Sequence, residues 1–303
     1  MGKLLEQLKD TNTKQKALLC SLKSSCQFCS GRGFRLLTRG AYTCAEVCSC
    51  VQSCSACFGK AQILDGKIAS PCKTPSPVKL CGLINNAQIP ARYTNACLSD
   101  FTNTNGNGKE ILLKLRAWLN HFKTKEDQGF IISGPVGVGK TFILAAITKA
   151  LIARGFKTQF IDFFQLISQI KACYANKQSE QTLIAPLIDV DVLIIDELGK
   201  GRNTEFELTI LDQLIMGRYN QNKAIVASTN CSIQAKKETL TKNFYEIPLD
   251  QKSESQQSSM LDFGTLEDRV GSRIYSRLME TTISFELTGN DYRKQKGSSW
   301  TVH

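Results

Sequence analysis

GFIISGPVGVGKTFILAAITKALIA, residues 129–153, is the stretch that decides the fold. Its first five residues, apolar almost throughout, predict a short buried strand. Gly134, Pro135, Val136, Gly137, Val138, Gly139, Lys140 and Thr141 then fit G-x-x-x-x-G-K-[ST], and a helical apolar pattern follows. Each position has a mechanical reason. The glycines let backbone N–H groups wrap phosphates with no Cβ in the way. Lys140 reaches the β- and γ-phosphates, and Thr141 offers its hydroxyl to Mg²⁺. The helix N-terminus adds its dipole. The stretch therefore predicts a strand–loop–helix unit that binds a nucleoside triphosphate such as ATP.

Moving outward, four more apolar runs follow: TQFIDF (158–163), DVLII (191–195), AIVAST (224–229) and TISFEL (282–287). Helical patterns at 140–154, 164–175 and 205–220 separate the first four strands. Such alternation predicts a parallel sheet covered on both faces, an α/β fold of three layers, α/β/α. DVLII runs into Asp196-Glu197, which places two carboxylates at the C-terminal edge of a buried strand. Asp196 would hold Mg²⁺ directly or through water, and Glu197 would orient or deprotonate the attacking water. Upstream, Gly108 to about Phe122 reads as a helix with NTNGNG (103–108) as its polar lead-in. The polar, Ser/Gln-rich stretch 236–262 reads as a surface insertion.

The whole chain of 303 residues is long enough for two domains. Its 42% hydrophobic content excludes global disorder. No run approaches the roughly 18–20 apolar residues that cross a bilayer, and the N-terminus is too polar for a signal peptide. Glu6 stands where a myristoylation motif wants Ser or Thr. The expectation is a soluble, cytoplasmic protein with no membrane partner. The formal net charge is +11, with 38 Lys or Arg against 27 Asp or Glu. Residues 1–127 carry +10 of it and residues 128–303 only +1. Eight of the 13 cysteines fall between Cys20 and Cys57. In a cytosolic chain that cluster reads as metal binding before disulfides. The basic arm reads as a surface for nucleic acid or another anion.

GPVGVGKT and LIIDELG resemble the Walker A and B motifs of the AAA+ ATPases. IPARYTNACLSDF (89–101), TILDQLIMGRYNQNKAIVASTN (209–230) and LEDRVGSRIYSRLMETTISFELTGNDYR (266–293) resemble the DnaC/DnaI helicase-loader family, whose close relatives are the IstB transposition helpers. The resemblance covers about residues 84–293. It implies that Asn230, at the end of the fourth run, contacts the γ-phosphate or its attacking water. It makes Arg277 the arginine finger, with Arg273 one helical turn earlier as second choice. A finger acts on a neighbour's nucleotide, so an ATP-bridged homo-oligomer is implied. Arg218 also matches a family position and would face a neighbour, nucleic acid or solvent at a helix end. Ile89, Pro90 and Tyr93 either line the adenine pocket or simply pack. The family's fold, ATPase activity, replicative hexameric helicase partner and grip on single-stranded DNA follow as expectations.

Cys26-Gln-Phe-Cys29-Ser-Gly-Arg-Gly33 is C-x-x-C-x-G-x-G, and Cys54-Ser-Ala-Cys57 repeats its first half, with 24 residues between the two pairs. Two such pairs can close a tetrahedral zinc site. The resemblance to helicase loaders with an N-terminal zinc module instead implies C-x-x-C…C-x-C, here Cys26, Cys29, Cys48 and Cys50. The glycine pattern is also similar to the zinc region of DnaJ chaperones. The candidate ligands are therefore Cys26, Cys29, Cys48, Cys50, Cys54 and Cys57, for one Zn²⁺ or two, with an iron–sulfur cluster or free thiols as other readings. A segment this small and polar cannot bury enough apolar surface to fold alone, so a structural zinc would supply the missing free energy. Phe28, Phe34 and Phe58, among Lys23, Arg32, Arg35, Arg39 and Lys60, either form the core of the module or stack on bases.

The expected organisation is an N-terminal region (1–69) with a cysteine-rich core (26–60), a linker (70–88) suggested by SPCKTPSPVKLC, and an AAA+ domain (89–303). The expected function is an ATP-hydrolysing helicase loader in DNA replication. The competing readings are an IstB-like transposition helper and a zinc-dependent adaptor with a nucleotide switch.

Overall fold

Alternation along the buried strands assigns every central side chain to one of two faces. The computed structural model describes residues 26–51, 62–65, 68–71, 77–103, 105–233 and 264–293. Residues 1–25, Cys54, Cys57, Phe58 and the insertion at 236–262 lie outside these residues.

Five strands make the sheet: β5 (Gly129–Ser133), β6 (Thr158–Asp162), β7 (Val192–Asp196), β8 (Ala224–Thr229) and β9 (Thr282–Glu286). They lie in the order β6-β7-β8-β5-β9, and every pairing is parallel. Phe130, Ile132, Val192, Ile194 and Val226 face one way, into a core shared with the helix after the phosphate loop. Ile131, Leu193, Ile195, Ile225 and Ala227 face the other way, into a second core. Period-two alternation in strands covered on both sides gives this arrangement.

The first layer holds α1 (Pro77–Asn86), α2 (Gly108–His121) and α3 (Lys140–Ala153). The second holds α4 (Phe163–Ala175), α5 (Gln181–Asp189), α6 (Glu205–Tyr219), α7 (Leu266–Val270) and α8 (Ser272–Thr281). Local rules account for several helix starts. Asp162 accepts from the Gln165 N–H to cap α4, and Thr204 accepts from Glu207 to cap α6. Thr265 and Asp268 form a reciprocal capping box on α7.

The stretch expected as a linker, 70–88, contains α1. Pro77, Leu80, Cys81 and Ile84 of this helix are buried. Pro77 sits at the first helical position, where its missing N–H costs nothing, so its proline starts the helix instead of preventing it.

Before α1 come two antiparallel hairpins, β1 (Phe34–Arg39) with β2 (Tyr42–Val47), and β3 (Gln62–Asp65) with β4 (Ile68–Pro71). The first is joined to the body. Thr43 N–H donates to the Ile89 carbonyl at 2.7 Å, and Ala91 N–H donates to Ala41 at 2.8 Å. Asn85 bonds both the N–H and the carbonyl of Ala45, at 2.7 and 3.2 Å. Phe34 and Ala45 enter the first core beside Leu80, Cys81 and Ile84.

Arg218 is neither at a neighbour-facing surface nor solvated: it is 0% exposed. Its guanidinium donates to the carbonyls of Leu187, Ile188, Val190, Asp191 and Ala224. It ties the ends of α5 and α6 to the starts of β7 and β8. Burial lowers its pKa to about 9, which leaves it charged at neutral pH.

Candidate functional site

The phosphate loop leaves β5 at Gly134 and enters α3 at Lys140. Its glycines adopt left-handed φ values: 149° at Gly134, 86° at Gly137 and 103° at Gly139. None of the three has room for a Cβ, and on Gly139 it would stand 2.6 Å from the Phe101 ring. A Cβ on Gly134 would stand 2.1 Å from the Leu287 carbonyl oxygen, and one on Gly137 would stand 1.9 Å from a carboxylate oxygen of Asp291. Pro135, Val136 and Val138 fill the loop between them, with Val138 buried and Val136 exposed.

Lys140 Nζ donates to the carbonyls of Gly134 and Pro135, each at 2.7 Å. Burial lowers its pKa to about 8, against the opposing pull of Asp196 and Glu197. The ammonium thus stands in the loop's own concavity, held by two carbonyls.

Thr141 and Asp196 meet across the site. The Thr141 hydroxyl donates to Asp196 Oδ1 at 3.3 Å, and the Ser228 hydroxyl donates to the same oxygen at 2.5 Å. Burial raises the Asp196 pKa, while both hydroxyls work against that rise. The Glu197 N–H donates to Ser228 Oγ at 3.0 Å. Glu197 has φ of 57° and leaves the strand through a turn; its carboxylate pairs with Lys200. Asn230 follows the last residue of β8 and is half-buried. The structure thus gathers at one end of β5, β7 and β8 the residues expected from the two motifs.

Three contributors were not anticipated. Ser228 holds both acidic residues in place; a serine at the end of an otherwise apolar strand was its only signal. Residues 287–293 run over the phosphate loop: Leu287 N–H donates to Ser133 at 2.8 Å, and Tyr292 N–H to Gly137 at 3.1 Å. Asn103 and Asn107 hold that segment. Asn103 donates to the Thr288 carbonyl at 2.8 Å; Asn107 donates to Glu286 at 2.7 Å and accepts from Thr288 at 2.9 Å. The asparagine-rich lead-in is therefore a clasp on the C-terminal strand.

Ile89 is fully buried in the first core. Tyr93 meets Phe142 edge-on at 6.5 Å, and Phe101 meets Phe142 at 6.0 Å. Lys149 of α3 donates to the carbonyls of Tyr93 and Thr94, at 3.1 and 2.9 Å. The 89–101 block is thereby fastened to the helix that follows the phosphate loop.

Neither finger candidate adjoins its own phosphate loop. Arg277 lies over the Tyr219 ring at 5.5 Å and donates to the Arg273 carbonyl. Arg273 is more exposed and sits 3.6 Å from Asp212.

At the other end of the β1–β2 hairpin, the sulfurs of Cys26, Cys29, Cys48 and Cys50 all lie within 4.8 Å of one another. Cys26 and Cys48 sulfurs are 3.8 Å apart, Cys29 and Cys50 3.3 Å. Tetrahedral thiolates about 2.3 Å from zinc stand about 3.8 Å from each other, so the set fits a zinc ion. The Gly33 N–H donates to Cys29 Sγ at 3.3 Å. Backbone N–H groups of Cys29 and Phe28 lower the Cys26 pKa to about 6, while the neighbouring thiols and burial push Cys50 up. Cys44 lies in β2, outside the cluster. Phe28 is 63% exposed, whereas Phe34 is buried in the core shared with α1, so the two phenylalanines do different things.

A parallel sheet, a glycine-wrapped lysine and a Thr–Asp pair at the strand ends define the class: a P-loop ATPase of the AAA+ type. The chain belongs to the IstB-like ATP-binding proteins, whose profile matches residues 75–244. It is 27% identical over 158 residues to the replicative helicase loader DnaC of Escherichia coli (strain K12), covering 52% of this chain and 64% of that one. It is 26% identical over 149 residues to the DnaC loader of Buchnera aphidicola subsp. Baizongia pistaciae, covering 48% and 60%. These alignments span less than two thirds of either relative. A crystal structure of the DnaC helicase loader superposes with TM-score 0.50 at 25% identity, over 65% of this chain and 99% of that one. Among the described residues no helix is long and apolar enough to cross a membrane.

Proposed function

We propose that this protein hydrolyses ATP and uses the cycle to load a replicative hexameric helicase onto single-stranded DNA. The observation that carries the ATPase half is the Thr141–Asp196–Ser228 constellation beside Lys140. Thr141 and Asp196 would hold Mg²⁺, which neutralises phosphate charge when bound. Lys140 gives up its two carbonyl partners for the β- and γ-phosphates. Gly134 to Gly139 present backbone N–H groups to them. Glu197 takes a proton from, or orients, the attacking water. Asn230 donates to the γ-phosphate or to that water. Arg277, or the more exposed Arg273, reaches a neighbour's nucleotide in an ATP-bridged homo-oligomer. Arg277 must leave the Tyr219 ring to do so.

The loader half is supported by the DnaC relatives. In this reading Cys26, Cys29, Cys48 and Cys50 hold one structural Zn²⁺, and the metal-folded arm docks the helicase. The protein works in the cytoplasm. The arm and the ATPase body are two functional parts, the body beginning at α1 instead of at residue 89. An IstB-like transposition helper is the second reading, favoured by the family profile itself.

The test is a pull-down with the full chain and ATP, against the replicative helicase and the transposases of the same cell. Recovery of the helicase, lost when Cys29→Ser removes a ligand, is expected. Recovery of a transposase and no helicase would move the function to the second reading.

A further inference from the structure

Helices α6 and α8 bring a phenol and a carboxylate against Arg277, and the nucleotide site uses neither. Tyr219 ends α6 one residue after Arg218, whose bonds to five carbonyls fix the backbone there. The Arg277 guanidinium lies over the Tyr219 ring at 5.5 Å. The Tyr219 hydroxyl donates to both carboxylate oxygens of Glu280, at 3.1 and 3.0 Å. That bond raises the Tyr219 pKa, so the phenol keeps its proton at neutral pH. Gln128 Nε2 donates to the Glu280 carbonyl at 3.2 Å, which holds the end of α8 in place.

The two arginines of α8 are held in different ways. Arg273 has a carboxylate, with its Nε 3.6 Å from Asp212. Arg277 makes no ion pair among the described residues. It has the ring face and the Arg273 carbonyl at 3.1 Å, and its Nε is buried with no hydrogen-bond partner among them. Yet Glu280, the only acid of α8, stands three residues on. At that spacing opposite charges on a helix pair. The carboxylate is thus within reach of Arg277 and is bound to Tyr219 instead.

We propose that Tyr219 is a positioning residue for the arginine finger: its hydroxyl diverts Glu280 from Arg277, which leaves the guanidinium without a counter-ion and ready for the γ-phosphate of a neighbour's nucleotide. This rests on the reading of Arg277 as the finger. Both ends of Tyr219 take part. The ring face attracts the cation without neutralising it, so Arg277 can leave with no ion pair to break. The hydroxyl occupies the acid that α8 itself would set against the finger.

The expected size follows from exposure. Without the hydroxyl, Glu280 pairs with Arg277 across an exposed helix face, and that pair must break each time the finger engages. An exposed pair shifts such an equilibrium about two- to five-fold. The finger acts on transition-state charge, so the loss falls on kcat and leaves KM for ATP near its original value. Salt screens the pair, so the loss shrinks as ionic strength rises.

The experiment measures ATP turnover by the full chain with Mg²⁺ at low salt, at a protein concentration above which turnover per chain no longer rises. Tyr219→Phe keeps the ring and removes the hydroxyl; its kcat should fall about two- to five-fold. Adding Glu280→Gln to that variant removes the competing charge and should restore kcat. The proposal is overturned if Tyr219→Phe turns over as fast as the wild type or faster. It is equally overturned if the double variant stays as slow as Tyr219→Phe, because a role in packing alone gives that result. Arg277→Ala separates the two layers. If it turns over like the wild type, the finger itself is wrong; if it is strongly slowed while Tyr219→Phe matches the wild type, only the role of Tyr219 is wrong.

Discussion

The nucleotide site and the cysteine hairpin are both small sites at the ends of β-strands, yet they are held in opposite ways. Lys140, Thr141, Asp196 and Ser228 stand at the rim of a sheet buried on both faces, so two large cores fix their positions before any ligand arrives. Cys26, Cys29, Cys48 and Cys50 stand at the free end of a two-stranded hairpin whose apolar contribution is little more than Phe34 and Ala45. There a bound metal would supply the order. The lesson is that a site's dependence on its ligand can be read from how much core lies behind it.

The largest expected effect comes from breaking the sheet itself. Arg218→Ala leaves five carbonyls without their donor and should cost about 3 kcal/mol or more. Thermal unfolding should fall by roughly 6–12 °C, with ATP binding lost in the same transition. Zinc uptake, followed by a thiol-sensitive metal indicator below that transition, should stay at one ion per chain. Next comes Lys140→Ala, which removes charge-assisted bonds to two phosphates and should weaken ATP binding about 100-fold. Calorimetric titration checks it, and its melting temperature should stay near the wild type, because the two carbonyls it frees can reach water.

Metal removal probes the other side. A fully separate hairpin would melt and leave the body's transition untouched. The bonds from Thr43, Ala41 and Ala45 to residues 85–91, together with Phe34 in the first core, predict a different result. Chelation should lower the main transition by about 2–8 °C, the loss of about one to two kcal/mol in a body of this size. Calorimetry with and without a strong zinc chelator reads it.

The smallest effect is a pH dependence. Lys140 binds phosphate as the ammonium, and burial has lowered its pKa to about 8. Affinity for ATP should therefore be full below pH 8 and fall as pH rises through it, by roughly tenfold one unit above. Bound phosphate raises that pKa, so binding above pH 8 should take up protons. Titrations in buffers of different ionisation enthalpy report that uptake.

Much of this was legible in the sequence where contacts are local. Strands β5 and β8 coincide with their apolar runs, and the other three strands fall within one residue of theirs. The phosphate loop and the strand-end acids are sequential motifs. The features that escaped depend on partners far along the chain. Arg218 reads as a charged helix end until the end of α5, residues 190–191 and the start of β8 bring their carbonyls to it. Asn107 reads as loop polarity until Thr288 arrives from 181 residues away. Helix α1 was hidden behind a proline- and serine-rich lead, and α5 (Gln181–Asp189), which no helical pattern announced, carries an internal proline, Pro186, a residue that disfavours helix interiors. The β1–β2 hairpin was masked by cysteines and charges, because its inward residues number only a few.

The central claim is that the rim of the sheet hydrolyses ATP and that Glu197 activates the water. The direct measurement is Mg²⁺-dependent ATP turnover by the wild type and Glu197→Gln, with ATP affinity determined on both. The two affinities should agree within about twofold, and turnover should fall about 100-fold or more in the variant. Equal turnover in the two proteins would contradict it.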